Sequence, residues 1–496
     1  MNPIFLLVVI LIPLLGGVLI PFLPFRSRKQ FEIYTEVVVI MASALVFLLM
    51  LKRPSDPFTL IYFTGDLTIS FRMDGLSMVF GGMIAFLWPF ATLYAYEYMR
   101  HEHNPVGPRH ERSFFCFYTM TYGITLGIAL AANMLTMYCF YEMLTLITVP
   151  LIMYTMSREA ILATRKYMYY SLGGAGFAFI GLIFMIVYGN INFQYGGTLN
   201  PDLIGNRKNL LLLIYVMAFF GFGVKAAVCP LNSWLPQAGV APTPVTALLH
   251  AVAVVKSGAF AILRLTYFCF GITFLRGTWA QYLVMTAAMI TIVYGCSRAV
   301  KETHFKRRLA YSTISNLSYI LFGATIMTPL GLTAALAHML FHGIMKITSF
   351  FCAGAVICQT GRTYVTQLDG LGKKMPRVFG IFALSSFALM GVPGLCGFIS
   401  KWYLASAAFE SNQVLACFGV GALLISAILT AIYMLTIVIR AFFPKQGFDE
   451  SSLEGIHDPG LYMLIPLFVF SAVIIYFGIH SVSLLDFLTK VGNGLI

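Results

Sequence analysis

Residues 221–258 read GFGVKAAVCPLNSWLPQAGVAPTPVTALLHAVAVVKSG, and they combine two features that conflict in an ordinary helix. The run is apolar enough for lipid. Yet Pro230, Pro236, Pro242 and Pro244 cannot all lie in unbroken helix, because each removes an N–H donor and clashes with the preceding turn. The same stretch carries Lys225, His250 and Lys256. Unwound backbone at membrane depth is tolerated only where protein buries it or water lines it. The segment therefore predicts a broken helix in the interior of a membrane protein, with amines and an imidazole facing inward.

The composition of the whole chain agrees. Of 496 residues, 59% are hydrophobic and 10% charged, whereas soluble domains carry about a quarter charged residues. An ordinary water-soluble enzyme, a disordered chain and a nucleic-acid-binding domain are excluded. The net charge of +13, from 32 basic and 19 acidic residues, reads as membrane topology and not as an acidic partner. Nine cysteines, nearly all in apolar runs and with no CxxC pair, indicate neither a disulfide framework nor a zinc or iron–sulfur site.

A span needs about 20 apolar residues. Fourteen candidates follow: 3–24, 31–51, 74–98, 113–132, 134–156, 162–188, 209–229, 243–269, 279–299, 309–327, 331–359, 377–409, 414–443 and 460–485. The first lacks a basic n-region and is followed by Arg26, Arg28 and Lys29, so it reads as a retained helix and not a signal peptide. Within 52–73, FTLIYFTGDLTISFRMDG alternates as an extramembrane β-hairpin does. Lys and Arg number 20 in the odd-numbered connections and 6 in the even ones. That bias predicts cytoplasmic odd loops and both termini on the opposite side. His101, His103 and His110, near Arg109 and Arg112, are expected on the solvated surface.

Charges inside the spans carry the functional signal. Glu142 lies in YCFYEMLTLITVPL, Lys225 in GFGVKAAV, Lys256 in LLHAVAVVKSGAF, Lys346 in FHGIMKITSFF and Lys401 in GFISKWYL. Each charge costs about 2.5–3.5 kcal/mol at a helix centre on insertion scales, so these five must face protein or water. A static ion pair explains Glu142 with Lys225 but leaves three lysines without an acidic partner. Lysine suits proton relay because desolvation readily neutralises it. A carboxylate that keeps Lys225 charged makes the pair a switch. His250 precedes Lys256 on what reads as one helix, and His338, His342 and Lys346 follow at i, i+4 and i+8 along one stripe. Imidazole accepts on one nitrogen and donates from the other. The competing readings are a backbone-bonded core histidine and a metal or haem ligand; no nearby carboxylate or thiol pattern completes a metal site.

A second break, GVPGLCGFISKW at 391–402, surrounds Pro393 and Gly394. Both breaks lie near a buried lysine within a GFxxK string, at Lys225 and at Lys401. Paired discontinuous helices in two halves are the signature of an inverted-repeat transporter, with repeats placed at 113–269 and 279–443. Residues 1–112 then hold the first three helices and the hairpin, and 444–496 the last helix.

These residues resemble the antiporter-like subunits of respiratory complex I, Mrp-type cation/proton antiporters and membrane-bound energy-converting hydrogenases. The resemblance rests on KAAVCPLNSWLPQAGVAPTPVTALLHAVAVVKSG, with YEMLTL, FKRRLAYSTISNLSY, HMLFHGIMKITSFFCAGAV and PGLCGFISKWY in the family's order, and covers nearly the whole chain. It implies that Glu142 is the fifth-helix glutamate that pairs with the seventh-helix lysine, Lys225. Lys256, Lys346 and Lys401 match the lysine positions of helices 8, 11 and 12, the last being glutamate in some paralogues. His250, His338 and His342 fall at relay positions, while Asn316 stands where some members have histidine.

The expected fold is thus an all-α membrane protein of about fourteen helices, with two inverted five-helix repeats and discontinuous helices 7 and 12. The expected function is proton translocation within a multi-subunit membrane complex, driven by a redox or ion-coupled partner. An inlet half-channel would run by Glu142, Lys225 and Lys256, and an outlet by Lys346 and Lys401, bridged by His250, His338, His342 and water. No phosphate loop, dinucleotide fingerprint or Cys cluster occurs, so no cofactor, metal or catalytic redox site is expected in this chain. Partners would be other membrane subunits, lipid and protons, with Na+ left open at the level of the complex. The alternatives are a subunit of a Na+/H+ antiporter and a membrane component of a bicarbonate-handling complex. Glu142 reads as the only clear intramembrane carboxylate, which disfavours this chain as a Na+ site.

Overall fold

The computed structural model describes residues 2–54, 56–65, 67–101, 108–445, 448 and 450–496. Two helices, α1 (Phe5–Leu19) and α2 (Arg28–Lys52), open the chain. Ser27 caps α2, its side chain accepting from the Gln30 N–H. A hairpin follows, β1 (Phe58–Thr64) paired antiparallel with β2 (Leu67–Phe71). Its second strand buries Ser70 and Phe71 and rests on the turn after α4, where Arg72 N–H donates to Leu130 O at 2.7 Å and Ala132 N–H to Ser70 O at 3.0 Å. Next come α3 (Gly75–His101), α4 (Pro108–Leu130), α5 (Met134–Ile152), α6 (Arg158–Tyr188) and α7 (Lys208–Gly223).

Beyond α7 the backbone departs from regular helix. The short α8 (Trp234–Ala238), α9 (Thr243–Ala251) and α10 (Val254–Arg264) are separated by turns, and a π-helical segment, Leu265–Phe270, completes the run. Pro230 sits in the first turn segment and Pro236 within α8. The remainder consists of α11 (Trp279–Lys301), α12 (Phe305–Ile326), α13 (Pro329–Thr360), α14 (Pro376–Met390), α15 (Cys396–Glu410), α16 (Val414–Phe442), α17 (Leu461–Ile479) and α18 (Val482–Gly492).

The centre of the molecule is α13. Thr328 caps its start, accepting from Gly331 N–H at 3.0 Å, and Gly361 ends it at φ 67°. It packs against α3, α9, α12, α14, α15, α17 and α18, and nearly every side chain from Gly331 to Val356 is buried. By contrast, α2 and α16 turn rows of large apolar residues outward, including Leu424, Ile428 and Ile432, as lipid-facing helices do.

Among the described residues, eleven helical stretches are long and apolar enough to cross a membrane. That is fewer than the fourteen spans expected, for local reasons. The breaks divide the 377–409 span into α14 and α15, each short of a bilayer crossing. Helix α12 is long enough but carries a polar set, Ser312, Thr313, Ser315, Asn316 and Ser318. Helix α1 is only 15 residues long.

Two further expectations change. His250 and Lys256 do not share one helix: α9 ends at Ala251, and Val252 and Ala253 are irregular before α10 begins. His110 is not simply solvated, since its Nε2 lies 2.8 Å from Tyr154 O and its ring stacks on Tyr154 at 4.2 Å. His101 is exposed, and His103 lies outside the described residues.

Candidate functional site

At one end of the buried line, Lys225 follows directly on α7, in the unwound stretch, and is fully buried. Its amine donates to the Tyr141 carbonyl of α5 and lies 3.5 Å above the centre of the Tyr141 ring. It makes no ion pair with Glu142, the next residue on α5, although the two charges are near enough to act on each other. Glu142 is half-buried, and its Oε1 is buried without a hydrogen-bond partner. The lysine has chosen a carbonyl and an aromatic face over the carboxylate beside them, a cation–π arrangement.

Lys256 is the third residue of α10, where the helix's free N–H groups work against a cation. Its amine lies 2.8 Å from His342 Nδ1 on α13. One turn earlier on α13, His338 stacks on His342 with ring centres 5.8 Å apart and planes 11° apart, and its Nδ1 lies 2.9 Å from Ser400 Oγ on α15. One turn later, Lys346 donates to Ser312 Oγ at 2.8 Å. The i, i+4, i+8 stripe is thus in place on one face of α13. His250 packs its ring against Phe350 at 5.1 Å and finds no partner for either nitrogen. The Nε2 atoms of His338 and His342 likewise have none.

Lys401 lies in the second turn of α15, just past the second break. Its amine donates to Leu389 O at 2.6 Å and Met390 O at 3.0 Å, the last carbonyls of α14, and lies 5.4 Å from the Tyr319 ring centre. A cation is favourable at such carbonyl-rich helix ends. The break itself needs Gly391 and Gly394, at φ 93° and 88°, with Pro393 between them. Lys225 lies at the start of its break whereas Lys401 lies in the helix that follows its own, so the two GFxxK strings sit at opposite ends of the interruptions.

Several buried charges escape a sequence reading. Arg264, the last residue of α10, is fully buried and forks onto Asp74 at 2.7 and 2.7 Å. Arg72 adds a third contact at 3.0 Å. Burial acts to raise the Asp74 carboxyl, but the Arg264 charge and hydrogen bonds, with Arg72, hold it well below the usual carboxylate range. Glu142 is also not the only intramembrane carboxylate. Glu32, Glu36 and Glu97 lie in spans too. Glu32 is held by Arg28 and Arg100 at 2.9 and 2.6 Å. Glu97 caps α17, accepting from Gly460 and Met463 N–H at 2.5 and 3.1 Å. The signal available for all of these was a charge within an apolar run, the same signal that marked the lysines.

Chemically, the arrangement is a row of buried bases joined by neutral groups. Among the described residues none of the four lysines is in an ion pair. Each amine is held instead by a carbonyl, hydroxyl or imidazole.

A family model described as NADH:quinone oxidoreductase/Mrp antiporter, TM, matches residues 131–430, more than half of the chain. The chain is 29% identical over 417 residues to NADH-quinone oxidoreductase subunit N of Desulforudis audaxviator (strain MP104C), covering 82% of this chain and 80% of that one. Its fold matches a chain of the membrane-bound sulfane sulfur reductase, an archaeal respiratory membrane complex, with TM-score 0.83, 22% identity and coverage of 99% and 97%. It matches a chain of the Mrp complex from Dietzia sp. DQ12-45-1b equally well, with TM-score 0.83, 23% identity and coverage of 100% and 98%. The match spans both helix breaks and Glu142, Lys225, Lys256, Lys346 and Lys401, and the chain belongs to the NADH:quinone oxidoreductase/Mrp antiporter transmembrane family.

Proposed function

We propose that this chain is a proton-translocating subunit of a multi-subunit membrane complex, set in the cytoplasmic membrane with both termini on the outer side. The observation that carries the reading is the absence, among the described residues, of any ion pair on three buried lysines, Lys225, Lys256 and Lys346, and on the half-buried Lys401. Lysines that staple helices need carboxylates. Lysines that exchange protons need neutral acceptors and a way to lose charge. The unpartnered nitrogens of His250, His338 and His342 support a water-bridged link between an inlet at Glu142, Lys225 and Lys256 and an outlet at Lys346 and Lys401, since buried water normally satisfies such atoms.

The reading includes fourteen crossings, with α14–α15 and the stretch from α7 to α10 as discontinuous helices in two inverted repeats, 113–269 and 279–443. Partner membrane subunits supply the driving force through redox or ion chemistry. Lys225 on the Tyr141 carbonyl is then one position of a switch, and Lys225 on Glu142 the other. The free Oε1 of Glu142 supports this, because a carboxylate in a permanent staple would be engaged. Of the added carboxylates, Glu32 and Glu97 are committed to arginines and to a helix cap, and Glu36, whose Oε2 is buried without a hydrogen-bond partner, adds a single free carboxylate to a Na+-transporting reading.

The test is proton uptake per assembled complex for Glu142→Gln, Lys225→Met and the double variant. A switch predicts assembled but strongly impaired singles and an impaired double. Full transport by an assembled double variant would reduce Glu142 and Lys225 to architecture.

A further inference from the structure

Lys346 is also the head of a chain of hydroxyls that leaves the lysine–histidine line sideways, from α13 through α12 to α16. Ser312 Oγ receives the amine at 2.8 Å, and the Tyr433 hydroxyl lies 2.8 Å from the same oxygen. Tyr433 is also 3.2 Å from Thr430 Oγ1, whose proton is committed to the Ser426 carbonyl at 2.7 Å. All of these side chains are buried.

A hydroxyl has one proton and donates one bond at a time, and Tyr433 has two acceptors for it. If Lys346 is an ammonium, it donates to Ser312, the Ser312 proton turns to the Tyr433 oxygen, and Tyr433 donates to Thr430. If the amine is neutral, its lone pair accepts from Ser312, which accepts from Tyr433. Thr430 cannot reverse, because a carbonyl only accepts. The chain therefore has two proton orders, one for each state of Lys346, and only the Tyr433–Thr430 hydrogen bond is lost in passing from the charged order to the neutral one. Resting on the reading of Lys346 as a relay group, we propose that Ser312, Tyr433 and Thr430 form a two-state hydroxyl switch. It stabilises charge on Lys346 in place of a carboxylate, with Tyr433 as the positioning residue.

Other titratable groups face the pair. His250 on α9, Arg308 and Tyr319 on α12, His342 on α13 itself and Cys296 on α11 act on Lys346 or Tyr433. None of them is hydrogen-bonded to the Lys346 amine, which leaves Ser312 as its direct acceptor.

The experiment is proton uptake per assembled complex, measured across pH, for Tyr433→Phe, Thr430→Val and Ser315→Ala. Ser315 is one turn from Ser312 on α12 and equally buried, but its hydroxyl meets Ile292 O, Ser426 Oγ and Cys296 Sγ and bonds none of Lys346, Ser312, Tyr433 and Thr430. Tyr433→Phe should lower uptake about tenfold, the effect of a lost hydrogen bond serving a charged group. It should also move the pH profile toward lower pH, because the ammonium loses its support. Thr430→Val should move it the same way by less, and Ser315→Ala should change neither. Full uptake with an unmoved profile in Tyr433→Phe would overturn the switch, as would equal losses in Tyr433→Phe and Ser315→Ala with no pH displacement. Lys346→Ala separates the two levels. If it pumps normally, the relay reading of Lys346 falls and the switch with it; if it is inactive while Tyr433→Phe is normal, the switch alone falls.

Discussion

Removing Asp74 should destabilise this protein more than any other single carboxylate change. Arg264 is fully buried at the end of α10, forked onto Asp74 at 2.7 and 2.7 Å, with Ser77 Oγ at 3.1 Å and the rings of Phe193, Phe260 and Phe268 at 4.8 to 5.2 Å. Asp74→Ala leaves that guanidinium without a counter-charge, at a cost of about 3–5 kcal/mol. Asp74→Asn keeps one acceptor oxygen and should fall near the lower end. Arg72 reaches the same carboxylate, but its side chain is 34% exposed, so Arg72→Gln should cost about 1 kcal/mol or less. The double change Asp74→Leu with Arg264→Met should recover most of the loss, as apolar replacement of a buried pair often does. The assay is the melting midpoint of the purified, assembled protein. The contribution should be equal at pH 8 and pH 5. The folded carboxyl is held well below its ordinary value, so its stabilisation is complete above that value and is lost only as pH falls further. A double variant whose loss is the sum of its singles, or an Arg72→Gln as damaging as Asp74→Ala, would refute the argument. The pair matters for function because Lys256 lies two turns earlier on the same helix, and a loosened α10 would carry its amine away from His342.

Lys401→Ala should abolish proton uptake while assembly survives. Lys401→Arg should keep the contacts to Leu389 O and Met390 O yet also fail, because a guanidinium does not release its proton; full uptake by the arginine variant would leave Lys401 as a helix cap alone. Glu97→Gln should lower the melting midpoint modestly, by about 1 kcal/mol for a weakened cap on α17, with uptake per assembled complex unchanged, and a pumping defect would assign Glu97 to the path. Cysteines introduced at Lys29, Lys301 and Lys373, all exposed, should resist an impermeant thiol reagent in intact cells, and ready labelling would reverse the proposed orientation.

The helix breaks were legible because proline and glycine act locally: Pro230 and Pro236 forbid continuous helix, and Gly391 and Gly394 supply the positive φ that the second interruption uses. The α13 stripe was legible because helical periodicity fixes which residues share a face. What the sequence hid is set by distant partners. Nothing local says that Lys225 prefers the Tyr141 carbonyl to Glu142, since Tyr141 and Glu142 are neighbours and the choice depends on how α5 meets α7. The irregular residues Val252 and Ala253 carry no breaker signal, and the break between His250 and Lys256 comes from packing in a fully buried segment. Arg264 and Asp74 are 190 residues apart, so their pairing is tertiary information. Ser312 and Tyr433 are common residues in apolar helices, and only their 2.8 Å separation makes them notable.

The central claim is that protons pass through the buried amines, and Lys256 tests it most directly. It has no carboxylate to staple and, among the described residues, one side-chain hydrogen bond, at 2.8 Å to His342 Nδ1. Methionine keeps its length and removes its proton. In the assembled complex reconstituted into vesicles, Lys256→Met should hold proton uptake below about a tenth of the unaltered value, the loss expected when a positioned acid–base group is removed, with assembly unchanged. Uptake equal to that of the unaltered complex would contradict the account.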